Sequence, residues 1–204
     1  MILKGVDTEN ALMVRQRKEF DEIVFGYEAE NSYDIVLSDG EIVGHVAEQS
    51  GGVLGFLGRQ TFGHWRSFEL RVYDVAHNLI WTARHPFRLL LQRLEVTDAT
   101  GRVIGTVQQR FGLLRRRFDL LADDGGLLLS MSAWRWRLWT FPFFRAAQQV
   151  AVVKKKYSGL FQEVFTDADN FAIQFQAPTL STLERILIVM AAVFIDLQYF
   201  EKQK

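Results

Sequence analysis

"ILIVMAAVF", residues 186–194, decides whether this chain carries a membrane anchor or the core helix of a globular domain. With Ile195 the uninterrupted apolar run is ten residues long, whereas a helix that spans a bilayer needs about twenty. A wider window includes Glu184, Arg185 and Asp196, and charged groups are costly in hydrocarbon. We therefore predict a buried core helix, with a short membrane insertion as the alternative.

The residues before this run predict where the helix begins. Ser181 and Glu184 have the spacing of a capping box, so we expect a helix from about Thr182 to Phe200. A helix that is apolar on all faces must be enclosed by other elements, and a closed β-barrel would enclose it. Asp196 on this helix is expected to be buried and hydrogen-bonded to its surroundings; a functional carboxylate is the alternative.

Most of the remaining chain has the pattern of β-strands. "YDIVLSDGEIVGHVAE", residues 33–48, alternates β-branched residues around an Asp-Gly turn, which indicates a hairpin. Similar segments begin at Phe68, Leu94 and Phe118, and two further strands are expected in "QVAVVKKKY" and "NFAIQFQ". Such a succession of antiparallel hairpins predicts a mainly-β fold, either a sandwich or a closed barrel. The predicted turn aspartates are Asp39, Asp74, Asp98 and either Asp123 or Asp124.

The composition limits the chemistry. The chain of 204 residues has no cysteine, which excludes disulfides, thiolate metal sites, a cysteine nucleophile and palmitoylation. We expect one domain over residues 1–204 and no signal peptide. No G-x-S-x-G, P-loop or H-E-x-x-H motif occurs, and the four histidines lack metal-ligand spacing. The sequence therefore predicts a protein that is not an enzyme.

The net charge of zero hides a segregation of charge along the chain. Residues 1–50 carry a net charge of −7, residues 51–160 a net of +10, and residues 161–204 a net of −3. A middle segment this basic can attract phosphate on lipid or on nucleic acid. The alternative is that the acidic ends fold over it and neutralise it.

A basic and aromatic segment, "SAWRWRLWTFPFFRAA" at residues 132–147, is the strongest candidate for lipid contact. In a strand, Trp134 and Trp136 would share one face, with Arg135 and Arg137 on the other. Tryptophan rings and guanidinium groups suit the headgroup level of a bilayer. The alternative is aromatic core with a solvated basic exterior. Nucleic acid is not expected, because no motif for it is present. The candidate headgroup-binding residues are Arg115, Arg116, Arg117, Arg135, Arg137, Lys154, Lys155 and Lys156, with Trp134, Trp136 and Trp139 as membrane-interface residues.

Three stretches resemble the phospholipid scramblase family. They are "YSGLFQEVFTDADNFAIQF" at residues 157–175, the helix ending "FIDLQYFE" at residues 194–201, and the upstream stretch at residues 12–48. This resemblance covers the chain from about Leu12 to Glu201. It implies a fold similar to the Tubby C-terminal domain, a twelve-stranded closed antiparallel β-barrel around a central C-terminal hydrophobic helix.

The chain departs from the eukaryotic members of that family in two ways. Where their palmitoylated cysteine cluster would fall, this chain has "RHPFRLLLQRL", residues 84–94, with leucines in place of cysteines. The sequence also begins almost at the first predicted strand, so we expect a short form without the proline-rich arm. A cytoplasmic protein, peripheral at the membrane, is the expectation.

The resemblance also implies a calcium segment that begins at Asp167, Asp169 and Asn170. In an EF-hand-like count from Asp167, apolar residues occupy several ligand positions, so the site is incomplete. We expect a tight turn capped by these side chains, or a weak calcium site. No other cofactor is expected.

Two functional hypotheses follow. The first is a scramblase-related protein that binds anionic phospholipid membranes, with bidirectional lipid translocation implied by the resemblance. The second is a soluble Tubby-like interaction module that binds a protein or nucleic acid and translocates no lipid.

Overall fold

The computed structural model describes residues 2–17, 29–49, 67–137, 139–155 and 170–200. These residues form twelve β-strands followed by a long α-helix. The elements are β1 (Ala11–Gln16), β2 (Ala29–Leu37), β3 (Ile42–Gln49), β4 (Phe68–Asp74), β5 (Leu79–His85), β6 (Arg93–Asp98), β7 (Val103–Arg110), β8 (Arg115–Ala122), β9 (Leu127–Trp134), β10 (Thr140–Arg145), β11 (Gln148–Lys155), β12 (Asn170–Phe175) and α1 (Thr182–Tyr199).

The strands form a closed antiparallel barrel. Each strand pairs with its neighbours in the chain, and β1 pairs with β12 to close the sheet. At the closure Met13 lies opposite Ala172. The predicted twelve-stranded barrel around a central C-terminal helix is therefore confirmed, and the sandwich alternative is wrong.

The predicted hairpin turns are built on aspartate side chains. Asp39 Oδ1 accepts the N–H of Glu41 at 2.9 Å, and Asp98 Oδ1 accepts the N–H of Thr100 at 2.9 Å. Asp124 Oδ1 accepts the N–H two residues further on in the same way. A carboxylate that hydrogen-bonds the backbone two residues later stabilises a tight turn, which explains why these turns were predictable.

Helix α1 begins where the capping box predicts. Ser181 Oγ accepts the N–H of Glu184 at 3.2 Å, and Glu184 Oε2 accepts the N–H of Ser181 at 2.7 Å. From Glu184 to Leu197 every residue of the helix is buried inside the barrel. The prediction of a buried core helix is confirmed. Among the described residues, no helix combines the length and the apolarity that crossing a membrane requires.

A buried ion pair lies among the apolar side chains of the barrel. Asp196 of α1 accepts hydrogen bonds from Tyr33 Oη at 2.9 Å and from Lys155 Nζ at 3.1 Å. The Lys155 ammonium also lies 4.1 Å from the ring centroid of Phe200. Asp196 is thus buried and hydrogen-bonded, as predicted.

The antiparallel order gives the barrel two different ends. Connections after odd-numbered strands lie at one end, which we call the loop end; among the described residues it carries 86–92, 111–114, 135–137 and 139. Connections after even-numbered strands lie at the other end, which we call the turn end; it carries the aspartate turns. Helix α1 begins at the turn end and reaches the loop end, where the ring of Phe200 stacks on Trp139.

Candidate functional site

The loop end concentrates exposed apolar side chains. Within the described ranges, twelve large apolar residues are exposed, and nine of them belong to loop-end connections. Leu90 is 81%, Phe111 79% and Leu113 77% exposed. Exposed apolar residues concentrated at one end of a domain indicate a candidate interaction surface. The nine residues are Phe87, Leu89, Leu90, Leu91, Phe111, Leu113, Leu114, Trp136 and Trp139.

Hydrogen bonds link these connections to one another and to a neighbouring strand. The backbone N–H of Arg135 donates to the carbonyl of Leu114 at 3.1 Å, which links the connections at 135–139 and 111–114. The Gln108 side chain at the end of β7 donates to the carbonyl of Leu91 at 3.2 Å. The apolar residues are therefore presented side by side on adjacent hairpins.

A stack of three side chains stands on the outer wall beside this surface. Arg115 of β8 lies opposite Trp134 of β9, and its guanidinium carbon is 4.0 Å from the Trp134 ring centroid. Trp136 stacks on Trp134 with ring centroids 4.5 Å apart. A guanidinium that stacks on an indole keeps donors at its edge for a phosphate group. Arg117 is exposed on the same strand as Arg115.

The predicted strand alternation through Arg137 is wrong. Strand β9 ends at Trp134, and the N–H of Arg137 donates to the Trp134 carbonyl at 3.0 Å to close a turn. Trp134 and Trp136 therefore meet by ring stacking rather than by strand periodicity. Arg135 and Arg137 are exposed in this connection, and Trp139 is 45% exposed.

Lys154 lines a cleft of about 180 Å³ on the outer wall, together with Trp134 and Arg137. The cleft lies where β9 and β10 separate, because their pairing is confined to Phe143 and its neighbour. Pro142, the preceding residue of β10, also lines the cleft and has no N–H to donate to a ladder. The cleft has room for a small polar group such as a phosphate.

Two predicted headgroup residues do not join this surface. Consecutive strand residues face opposite sides of a sheet, so Lys155 points inward where Lys154 points outward. It is 6% exposed and paired with Asp196. Arg116 is half-buried, with its guanidinium 4.2 Å from the ring centroid of Tyr199. Burial lowers the pKa of Arg116 and raises the pKa of Tyr199.

Three predicted residues, Lys156, Asp167 and Asp169, lie outside the described residues. Asn170 is the first residue of β12 and is buried, and its Oδ1 meets no hydrogen-bond donor in the described part of the chain. In that same part, no three His, Cys, Asp or Glu side chains are grouped so as to hold a metal ion. The calcium site stays a prediction.

A larger cleft of about 750 Å³ adjoins the connection at residues 86–92. Glu69 in this cleft bonds Arg71 at 2.8 Å and Arg84 at 2.7 Å. Burial alone would raise the pKa of Glu69, but these two arginines outweigh it and lower the pKa. Arg88 also lines the cleft, and its side chain forms no hydrogen bond or ion pair with the described residues. Among the described residues, the Arg and Glu side chains that line this cleft are Glu69, Arg71, Arg84, Arg88, Arg93 and Glu95.

The sequence analysis did not identify the apolar residues at 86–91 and 111–114 as functional. Their signal is a run of apolar residues between two strands, where polar turn residues are usual. At the turn end aspartates fill that role. The three described loop-end connections, "PFRLLLQ", "FGLL" and "RWRLW", contain no acidic residue, and the first and the third contain arginines.

The family model for scramblases matches residues 1–202 of this chain. The chain is 25% identical over 230 residues to a phospholipid scramblase family protein of Schizosaccharomyces pombe, covering 96% of this chain and 60% of that protein. It is 28% identical to human phospholipid scramblase 2, covering 95% of this chain and 68% of that protein. Human phospholipid scramblase 1 is also 28% identical, with coverage of 93% and 63%.

The chain thus spans about 60–68% of the length of these three relatives. No solved structure matches it.

Proposed function

We propose that this chain, which belongs to the scramblase family, binds anionic phospholipid at a membrane surface through its loop end. Membership of that family supports a scramblase-related function. The observation that carries this proposal is the stack of Arg115, Trp134 and Trp136 beside connections that contain no acidic residue. The proposed headgroup-binding residues are Arg115, Arg117, Arg135, Arg137 and Lys154, with Trp134, Trp136 and Trp139 at the interface.

The strength of this attraction follows from the number of cations. Each Lys or Arg near an anionic leaflet contributes about 1 kcal/mol at moderate ionic strength. Arg115, Arg117, Arg135 and Arg137 are all exposed, so each can approach a headgroup without losing a buried partner. The arginines can bind a phosphate by two parallel hydrogen bonds, which adds orientation to the charge attraction.

Bidirectional translocation is the second step that we propose for the same surface. Helix α1 is buried inside the barrel from Glu184 to Leu197 and packs in its hydrophobic core. A polar headgroup therefore has no route through the interior that the described residues form. A translocation route would run along the outer wall, where the cleft beside Lys154 and Arg137 opens.

Vesicle flotation of the detergent-free protein tests the binding step. We expect the protein to float with vesicles of phosphatidylcholine and phosphatidylserine and to float much less with vesicles of phosphatidylcholine alone, because only the apolar contacts remain there. The double variant Arg115→Glu/Arg117→Glu should lower the affinity for the anionic vesicles about tenfold or more, because two cations become anions.

A charge-matched control is available at the turn end, where Lys4 and Arg102 are 68% and 75% exposed. The double variant Lys4→Glu/Arg102→Glu should bind the vesicles like the unmodified protein. If Arg115→Glu/Arg117→Glu binds the anionic vesicles as tightly as the unmodified protein, the proposed role of Arg115 and Arg117 in headgroup binding is contradicted. A protein that floats with neither vesicle would instead favour the soluble interaction module.

A further inference from the structure

We propose that the connections at residues 86–92 and 111–114 insert into the hydrocarbon of the bilayer, so that the barrel stands on the membrane by its loop end. This inference rests on the proposed binding of anionic phospholipid and names the part of the protein that penetrates the lipid. Because α1 runs from the turn end to the loop end, this orientation directs the helix toward the membrane.

The apolar side chains occupy the tips of neighbouring hairpins. Leu89, Leu90 and Leu91 are exposed between β5 and β6, and Phe111, Leu113 and Leu114 are exposed between β7 and β8. Strands β6 and β7 are paired neighbours, so the two tips are adjacent on the rim. Between Phe111 and Leu114 the connection contains no charged residue, and such a tip can enter hydrocarbon without desolvating a charged side chain.

The backbone holds these side chains outward. Gln92 is 3% exposed and anchors the longer connection from within. Its Nε2 donates to the carbonyl of Arg88 at 3.0 Å, and its own N–H donates to Gln109 Oε1 at 2.9 Å. Leu91 adopts a left-handed backbone conformation, with φ of 54°, which only a well-anchored loop tolerates. A preorganised loop loses less conformational entropy when it binds.

Cationic and aromatic side chains surround the tips at the level expected for headgroups. Arg88 lies within one connection, and Arg115 immediately follows the other. Trp136 and Trp139 are 64% and 45% exposed on the next connection. Apolar tips surrounded by arginine and tryptophan match the layers of an anionic leaflet, with hydrocarbon below and phosphate above. This complementarity selects lipid over a protein partner or a second copy of the chain.

The absence of cysteine makes the insertion measurable at single positions. Leu90→Cys and Leu113→Cys would each carry one environment-sensitive fluorophore, and Leu127→Cys at the turn end, where Leu127 is 63% exposed, is the matched control. On vesicles of phosphatidylcholine and phosphatidylserine with brominated acyl chains, we expect the fluorophores at 90 and 113 to be quenched and that at 127 to be unaffected.

The unlabelled variants provide a second readout. Leu90→Asn with Leu113→Asn should weaken binding to the same vesicles by about tenfold or more, because each leucine removed takes apolar surface out of the contact. Leu127→Asn should bind like the unmodified protein. These substitutions replace exposed side chains, so the fold should be retained.

The outcomes separate this inference from the proposed function. If the protein binds anionic vesicles but neither the fluorophore at 90 nor that at 113 is quenched, insertion is overturned and headgroup binding stands. If the protein binds no vesicle at all, both are overturned. If the control at 127 is quenched as strongly as the others, the proposed orientation is wrong.

Discussion

At the scale of single residues, Lys155 and Asp196 form a buried ion pair between helix α1 and the barrel wall. The burial of Asp196 was predicted from the sequence, but its pairing with Lys155 was not. Asp196 also accepts a hydrogen bond from Tyr33. A helix that is apolar on every face has many packings of similar energy. A buried charge pair disfavours the packings that would leave either charge unpaired. We infer that this pair contributes to the orientation of α1, as well as to stability.

Removing one partner of the pair should be costly. Lys155→Met leaves the Asp196 carboxylate buried without its cation, and we expect a loss of about 3 kcal/mol in the free energy of unfolding. Lys154→Met, one residue earlier on the outer face, should change it by less than about 0.5 kcal/mol. Urea unfolding of both variants measures the difference. Equal stability of the two variants would contradict the role of the ion pair.

At the scale of elements, the N-terminus of α1 combines a capping box with an ion pair from another strand. Glu184 accepts hydrogen bonds from the backbone of Ser181 and from the guanidinium of Arg145, at 2.7 Å and 2.6 Å. Burial alone would raise the pKa of Glu184, but the bonds from Arg145 and Ser181 outweigh it and lower the pKa. The beginning of the helix is therefore tied to β10.

This lowered pKa gives the stability of the protein a pH dependence. Because the folded pKa of Glu184 lies below its unfolded value, its contribution is present above the unfolded pKa of about 4.3. That contribution is lost as the pH falls through the folded value. Glu184→Gln should cost about 1 kcal/mol at pH 7, and the difference from the unmodified protein should shrink in acid. Urea unfolding of both proteins from pH 7 down into acid measures this pH dependence.

A second variant distinguishes the contribution of the Ser181 hydroxyl from that of the titrating Glu184 carboxylate. Ser181→Ala removes the hydroxyl that accepts the N–H of Glu184, and it should cost about 1 kcal/mol. A hydroxyl does not titrate in this range, so a larger part of this loss should persist in acid. If the difference in the free energy of unfolding between Glu184→Gln and the unmodified protein is constant with pH, the lowered pKa of Glu184 is contradicted.

At the scale of the whole molecule, the barrel has chemically different ends. The turn end carries aspartate turns and the loop end carries arginines, tryptophans and exposed leucines. We expect the arginines of the connections at residues 86–92 and 135–139, together with Arg115 and Arg117, to attract an anionic surface before contact. Electrostatic attraction is screened within about 8 Å at physiological salt, whereas burial of apolar surface is not screened.

The affinity for anionic vesicles should therefore fall with added salt and then level off. We expect the charge contribution of Arg115 and Arg117 to disappear at about 1 M salt, where the Debye length is roughly 3 Å. The variant Arg115→Glu/Arg117→Glu and the unmodified protein should then bind with similar affinity. Sedimentation with vesicles over a salt series measures this convergence. Binding that vanishes entirely at high salt would contradict an apolar contribution.

The local sequence by itself determined the features that depend on near neighbours. The capping box predicted the beginning of α1, and the turn aspartates predicted the hairpin turns, because both depend on hydrogen bonds between residues two or three apart. The alternation of side chains indicated strands but left a sandwich and a barrel open. The closed barrel was predicted by the family resemblance.

Only the tertiary structure decided which face each side chain occupies and which connections meet. The pairing of β1 with β12 joins distant segments, and no local pattern specifies such a register. Strand β11 pairs with β10 and β12, and in this arrangement Lys155 faces Asp196 while Lys154 faces outward. The loop end likewise assembles three separate connections into one surface. Side-chain periodicity is a property of neighbouring residues, whereas register and proximity depend on how the whole barrel closes.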